Sequence, residues 1–202
     1  MKLYYSPGAC SLSPHIVLEE SGLPYEAVLA STKTHQLLDG TDFYTINPLG
    51  YVPLLELDSG ERLREGPAIV QYIADQAPDT GLAPPAGTLA RYRLQEWLTF
   101  IGTELHKAYS PLFKPATPEA YKPIAREHLA KRYAWIDGQL AGKPYLLGET
   151  FTAADAYLFT VSNWARAVGL DLNGHAHLQA YLARVRARPA VQAALKAEGL
   201  LK

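Results

Sequence analysis

The chain contains a single cysteine, and its surroundings make it the first candidate for chemistry. Cys10 lies in Ser6-Pro-Gly-Ala-Cys-Ser-Leu-Ser-Pro14, between a short β-prone run and a helix start. The partial positive charge at a helix N-terminus favours a thiolate, and the small residues Gly8 and Ala9 leave the approach open. The competing reading is an inert, buried thiol. With no second cysteine in the chain, an intramolecular dithiol cycle is impossible, and disulfide chemistry would need an external thiol. His106, in Thr103-Glu-Leu-His-Lys107, is the second candidate. At about 100° per residue, Thr99, Thr103 and His106 form a polar stripe opposite Leu94, Trp97, Leu98, Ile101 and Leu105. Such a stripe faces solvent unless it lines a cleft, where an imidazole can hydrogen-bond or protonate a thiol. Tyr5 and Ser11 carry hydroxyls able to stabilise a thiolate, in competition with strand packing for Tyr5 and helix capping for Ser11. Glu65 and Gly66 stand just before Pro67, a residue favoured in the first helical turn. A helix starting there would present unpaired N–H groups to a carboxylate or phosphate. His15, His128, His175 and His177 show no metal-ligand spacing with acidic or thiol partners, so no metal site is expected.

The elements that must position these residues follow from turn chemistry and periodicity. Lys2–Tyr5 reads as a strand, and a helix through His15–Leu18 stops at Ser21-Gly22. Tyr25–Leu29 reads as a second strand. Residues 30–47 are polar and weakly periodic, with at most a short helix around Asp42–Tyr44. Leu54–Leu57 and Arg62–Arg64 form a hairpin about Asp58-Ser-Gly60, and the apolar spacing of Ala68, Ile69, Tyr72 and Ile73 carries a helix behind Pro67. The order β-α-β, irregular, β-β-α implies a parallel pair extended by antiparallel strands, a mixed four-stranded sheet. Pro78-Asp-Thr-Gly81 and Pro84-Pro-Ala-Gly87 mark a linker. The expected organisation is an α/β domain over residues 1–79, a linker over 80–88 and an all-helical domain over 89–202. In the latter, Pro111 and Pro115 interrupt the chain after Leu105, and a helix from Pro118-Glu119 runs to about Leu140. Thr152-Ala-Ala-Asp155 starts an almost wholly apolar helix reaching Val168, and two helices over Leu178–Arg188 and Ala190–Lys196 close the chain. Of the 202 residues, 48% are hydrophobic and 19% charged, with a net charge of −1. A sizeable core follows, with no electrostatic case for nucleic acid or an anionic membrane. No apolar run is long enough to span a bilayer, and a soluble, cytoplasmic protein is expected.

Four segments in order, Tyr4-Tyr-Ser-Pro-Gly-Ala-Cys-Ser11, Asn47-Pro-Leu-Gly-Tyr-Val-Pro53, Glu65-Gly-Pro-Ala-Ile69 and Glu104-Leu-His-Lys107, together resemble bacterial beta-class glutathione S-transferases. The likeness covers almost the whole chain, including Phe151-Thr-Ala-Ala-Asp-Ala-Tyr-Leu-Phe159. It implies a thioredoxin-like N-terminal domain, an all-helical C-terminal domain, a homodimer, and glutathione as co-substrate between the domains. By the same resemblance Pro53 is a cis proline, and Val52 pairs through its backbone with the cysteinyl part of glutathione. Glu65 and Gly66 meet the γ-glutamyl end. Cys10 lies beside the glutathione sulfur with Ser11 nearby, and Thr103, Glu104 and His106 approach from the second domain. Cys10 and His106 are then the catalytic residues, and Cys10 can form a mixed disulfide with glutathione. The class usually has lysine at position 35, reaching for the glycyl carboxylate; His35 here implies weaker or more pH-dependent binding. Thr99 replaces a common asparagine, and Gly66 lacks the serine hydroxyl of other classes. The implied activity is conjugation of glutathione to small electrophiles. The rivals are glutathione-dependent thiol–disulfide exchange or dehalogenation, and a non-catalytic binding module on the same fold.

Overall fold

A computed structural model describes residues 1–201, which divide into two compact units: residues 1–83 together with 188–201, and residues 84–187.

In the first unit the strands are short and their centres apolar. β1 (Lys2–Tyr5) runs parallel to β2 (Glu26–Leu29), with Lys2 opposite Glu26 and Tyr5 opposite Leu29. It is antiparallel to β3 (Leu54–Glu56), which pairs antiparallel with β4 (Arg62–Arg64). The order β2-β1-β3-β4 makes the expected mixed four-stranded sheet. Leu3, Leu54 and Leu55 are fully buried on the two central strands. The parallel pair is joined by α1 (Leu12–Ser21), which ends at Gly22 in the left-handed region (φ +67°), the usual stop for a helix. After the β3–β4 hairpin, α2 (Gly66–Gln76) turns Ile69, Val70, Ile73 and Ala74 inward, the 3–4 spacing of a half-buried helix.

Helix α1 is different, because every residue from Leu12 to Leu18 is buried. A helix that is apolar all round needs cover on more than one side. The cover comes from α2 and from α8 (Pro189–Ala197), a segment that the sequence reading assigned to the helical half. Arg188, at the start of α8, donates to both carboxylate oxygens of Glu20 at 2.5 and 2.8 Å.

The second unit is helical. α3 (Leu89–Phe100) begins where the Thr88 hydroxyl accepts the Arg91 N–H. It runs without a break into a π-helical turn (Ile101–His106) and α4 (Lys107–Phe113). Pro111 is accommodated inside α4; the helix stops at Lys114, whose extended backbone (ψ 119°) is the conformation favoured before a proline, here Pro115. α5 (Tyr121–Leu140) follows. α6 (Ala153–Ser162) has every residue buried; it ends earlier than its apolar pattern suggests, and a separate 3-10 turn covers Ala165–Val168. α7 (Ala176–Arg186) completes the unit. At the start of α6 the fully buried Asp155 accepts from the Thr152 N–H and hydroxyl, the Leu146 N–H and the Tyr181 hydroxyl, at 2.8–3.1 Å. The capping role read at this position is thus part of a larger buried network. No helix of the described residues is long and apolar enough to cross a membrane.

Candidate active site

Cys10 sits in a turn between β1 and α1, and the turn is tied internally. Ala9 N–H donates to Ser6 O at 3.0 Å, and Ser13 N–H to Cys10 O at 3.2 Å. Ser11 is fully buried; its hydroxyl accepts the Ser6 N–H at 3.1 Å and donates to Ser6 O at 3.2 Å. It makes no cap bond to α1, so the capping role read from the sequence gives way to one of closing the turn. The half-buried Cys10 thiol donates to the Val52 carbonyl across 3.2 Å. That geometry belongs to the S–H form, since a thiolate has no proton to give and is repelled by a carbonyl oxygen. The Val52–Pro53 peptide is cis, as the resemblance implied. Tyr5 is almost completely buried, and burial with the nearby Glu198 carboxylate raises its phenol pKa, which suits packing more than activation of a thiol.

Glu65 is exposed and takes a positive φ of 68°, unusual for a residue with a side chain. Its carbonyl accepts the N–H groups of both Ala68 and Ile69 at 3.0 Å. Pro67 has no N–H, which leaves the Gly66 amide at the start of α2 to meet an anion. A Cβ on Gly66 would stand 4.0 Å from the Pro53 ring, so the two segments adjoin. His35 also has a positive φ (54°). Its Nδ1 lies 3.2 Å from Gly50 O and its ring packs on Tyr44 with centroids 4.7 Å apart. Gly50 is itself left-handed (φ +65°), and a Cβ there would come within 2.6 Å of the Tyr44 ring and 2.9 Å of His35 Nδ1. Lys33 is exposed in the same loop.

In the second unit His106 closes the π turn. Its Nδ1 is 2.6 Å from the Tyr157 hydroxyl, and its ring meets Trp164 edge-on at 4.9 Å. Burial, with help from the Lys107 charge, lowers its pKa to about 4, so the imidazole is neutral near pH 7. The polar stripe expected from a regular helix is broken here. The Lys107 N–H reaches back to Gly102 O, five residues earlier, which is the π spacing. Each residue of such a turn rotates less than in an α-helix, so His106 faces Tyr157 and Trp164 while Thr99 and Thr103 stay exposed. The Thr103 hydroxyl donates to Thr99 O at 2.9 Å. Glu104 pairs with Arg132 at 2.6 Å and lies 3.5 Å from His128. Trp164 is further ringed by Tyr109 and Phe113, at 5.6 and 5.7 Å.

The structure therefore brings Cys10 to Val52, and Pro53 to Gly66, within the first unit; within the second it gives His106 an aromatic wall. Tyr157 was legible in the sequence only as one more core residue of α6. Its signal is that a buried phenol needs a hydrogen-bond partner, and His106 is that partner. The cavity of about 590 Å³ in the second unit, lined by Trp97, Phe100 and Trp135, contains none of these candidate residues.

Two family models match successive parts of the chain. Residues 8–76 match the family described as "Glutathione S-transferase, N-terminal domain", and residues 100–189 match "Glutathione S-transferase, C-terminal domain". Glutathione S-transferase GstA of Escherichia coli O157:H7 is 49% identical over 99% of this chain and 100% of its own. A sphingomonad glutathione S-transferase solved in complex with glutathione is 50% identical, with a TM-score of 0.95 and 100% of both chains covered. The bacterial beta-class glutathione S-transferase of Sphingomonas chungbukensis is 49% identical, with a TM-score of 0.96, again over 100% of both chains. With matches to both halves of the family in order, and these identities spread over the full length, the chain belongs to the glutathione S-transferases, in their bacterial beta class.

Proposed function

We propose that this protein conjugates the thiol of glutathione to small apolar electrophiles, with Cys10 and His106 as the chemical residues. The observation that carries the reading is the Cys10 thiol on the Val52 carbonyl, beside the Pro53–Gly66 junction at the start of α2. A peptide thiol docked along the Val52 backbone would have its sulfur close to Cys10, and its γ-glutamyl carboxylate would take the Gly66 amide. Glu65 would meet the γ-glutamyl amine, and His35 the glycyl carboxylate. Roles for Ser11, Thr103 and Glu104 in holding glutathione rest on the family resemblance alone. If Tyr157 donates to His106 Nδ1, the neutral imidazole holds its proton on Nε2, where a thiolate can accept it. The aromatic ring of Tyr109, Phe113 and Trp164 beside His106 favours apolar electrophiles. Lowering the thiol's proton affinity and holding both reactants together are the two sources of rate.

The functional domains under this reading are residues 1–79 and 89–202, joined by 80–88. A homodimer in the cytoplasm, removing reactive electrophiles, completes the proposal. Its support for dimerisation is the exposed apolar surface of α3 and α5, where Leu89, Tyr92 and Trp135 are 72%, 60% and 47% exposed.

Retention on glutathione resin followed by turnover of chlorodinitrobenzene tests the activity. A second reading, glutathione-dependent thiol–disulfide exchange, is favoured by the half-buried single thiol, and Cys10→Ala separates the two. Exchange should vanish in the variant while conjugation is only reduced. No retention and no turnover of either substrate type would instead favour the non-catalytic binding module.

A further inference from the structure

The C-terminal tail carries a buried carboxylate that the proposed chemistry does not use. Glu198 follows α8 and is 5% exposed. Its two oxygens are committed to two different parts of the first unit. Oε1 lies 2.8 Å from Nδ1 of His15, which is fully buried on α1. Oε2 accepts the Gly8 N–H at 2.8 Å, two residues before Cys10. Gly8 is in the left-handed region, and a Cβ there would stand 3.6 Å from the side chain of Leu200. The tail is turned back at Gly199 (φ +69°), with the Leu200 N–H on Leu195 O at 2.8 Å. His15 Nε2 is buried with no hydrogen-bond partner among the described residues, so the ring depends on Glu198 for its polar contact. The last matched residue of the family's C-terminal domain is 189, the first residue of α8, and the rest of α8 with this tail lies beyond it.

The geometry points to Glu198 as a positioning residue for Cys10. It pins the Gly8 amide from one side while Ser11 closes the same turn from the other, so the thiol is delivered to Val52. A buried charge is costly unless its bonds are met; here they are met by the turn that bears the thiol and by the helix behind it. That arrangement exceeds what anchoring α8 requires, because Arg188 and Glu20 already tie the helix to α1. Loss of the Glu198 bond would let the Ser6–Cys10 turn relax and Sγ leave the Val52 carbonyl.

The inference rests on the reading of Cys10 as the reactive thiol, and the test keeps the two apart. Because Cys10 is the only cysteine, its alkylation by iodoacetamide reports thiol position in the enzyme without glutathione, whatever its part in turnover. Glu198→Ala should speed alkylation several-fold and lower kcat/KM for conjugation roughly ten-fold, as a misplaced group does. Glu198→Gln keeps an oxygen for the Gly8 amide and should recover most of both. Leu200→Ala, a milder loosening of the same clamp at a 38% exposed position, should move both readouts in the same direction by less. Arg188→Ala is the control for simple loss of α8 anchoring, and should lower the melting temperature without changing alkylation. Unchanged alkylation in both Glu198→Ala and Leu200→Ala, or an equal change in Arg188→Ala, overturns the inference. If Glu198→Ala does not fold, the Leu200→Ala and Arg188→Ala pair decides. Full conjugation by Cys10→Ala would sink the catalytic role of the thiol and leave the alkylation result standing.

Discussion

At the scale of single residues, the site separates groups held by the backbone from groups that hold a proton. Cys10 and His106 are both uncharged as they stand, the thiol because it donates to a carbonyl and the imidazole because it is buried. Under the proposed function, His35 is the residue whose replacement of a lysine bears most on binding. Its left-handed backbone is one that histidine tolerates better than most residues, and Nδ1 already faces Gly50 O. With Nδ1–H donating there, the ring has only an acceptor on Nε2, which repels a carboxylate, whereas a lysine ammonium would offer a charged donor. His35→Lys should therefore raise glutathione affinity by roughly five-fold, the gain of one charge-assisted bond. The substitution should cost about 1 kcal/mol of stability for lysine in the left-handed region. Calorimetric titration of both proteins with glutathione is the check. Equal affinities in the two proteins would show that position 35 does not reach the ligand.

At the scale of elements, what the sequence reveals is what neighbours in sequence decide. The Asp58-Ser-Gly60 hairpin, the stop of α1 at Gly22 and the start of α2 at Gly66-Pro67 are local, and all three stand where their turn residues put them. So does Asp155 at the start of α6, although its role grows from a cap to the centre of a network only when Leu146 and Tyr181 fold onto it. Two features were not legible. The π turn at Ile101–His106 places a residue out of α-helical register, and its Gly102 lies against the Tyr157 hydroxyl, a contact no local pattern encodes. The return of α8 to the first unit likewise depends on what α1 needs, not on the composition of α8 itself. His106 was found in the sequence by its type, but its contacts with Tyr157 and Trp164 come with the π turn and were not legible. Glu198 was missed along with the return of α8. The Asp155 network makes a quantitative prediction. Asp155→Ala leaves several fully buried donors without an acceptor, and each costs about 1–3 kcal/mol. The second unit should lose about 3 kcal/mol or more, read as a drop in the urea midpoint, while Asp155→Asn, which keeps one acceptor oxygen, should lose less. A loss below about 1 kcal/mol in the alanine variant would mean that the network forms without contributing to stability.

At the scale of the whole molecule, two buried groups in the same unit, residues 84–187, titrate in opposite senses. Burial lowers His106 to about 4, below the histidine reference of 6.5. Between these values the unfolded chain binds the proton that the folded chain refuses, so stability is complete above about pH 6.5 and is lost as pH falls toward 4. Burial raises Asp155 from 3.8 to about 6, against the hydrogen bonds that pull the other way. There the folded chain holds the proton that the unfolded chain releases, so stability is complete below 3.8 and is lost as pH rises through 6. At roughly 1.4 kcal/mol per pH unit of separation, each effect amounts to roughly 3 kcal/mol. Across pH 4–6 the two slopes have opposite sign and similar size, and the wild-type unit should show little net pH dependence from this pair. Replacing His106 by glutamine removes one slope and exposes the other. Relative to wild type, His106→Gln should gain roughly 2–3 kcal/mol as pH falls from 7 to 4.5. Urea unfolding of the two proteins at both pH values measures this directly, because every other titrating group is common to both and cancels in the difference. A gap between the two proteins that stays constant with pH would mean that His106 accepts its proton as readily in the folded protein as in the unfolded chain. The proposed role of His106 as a neutral hydrogen-bond donor would then have no structural cause.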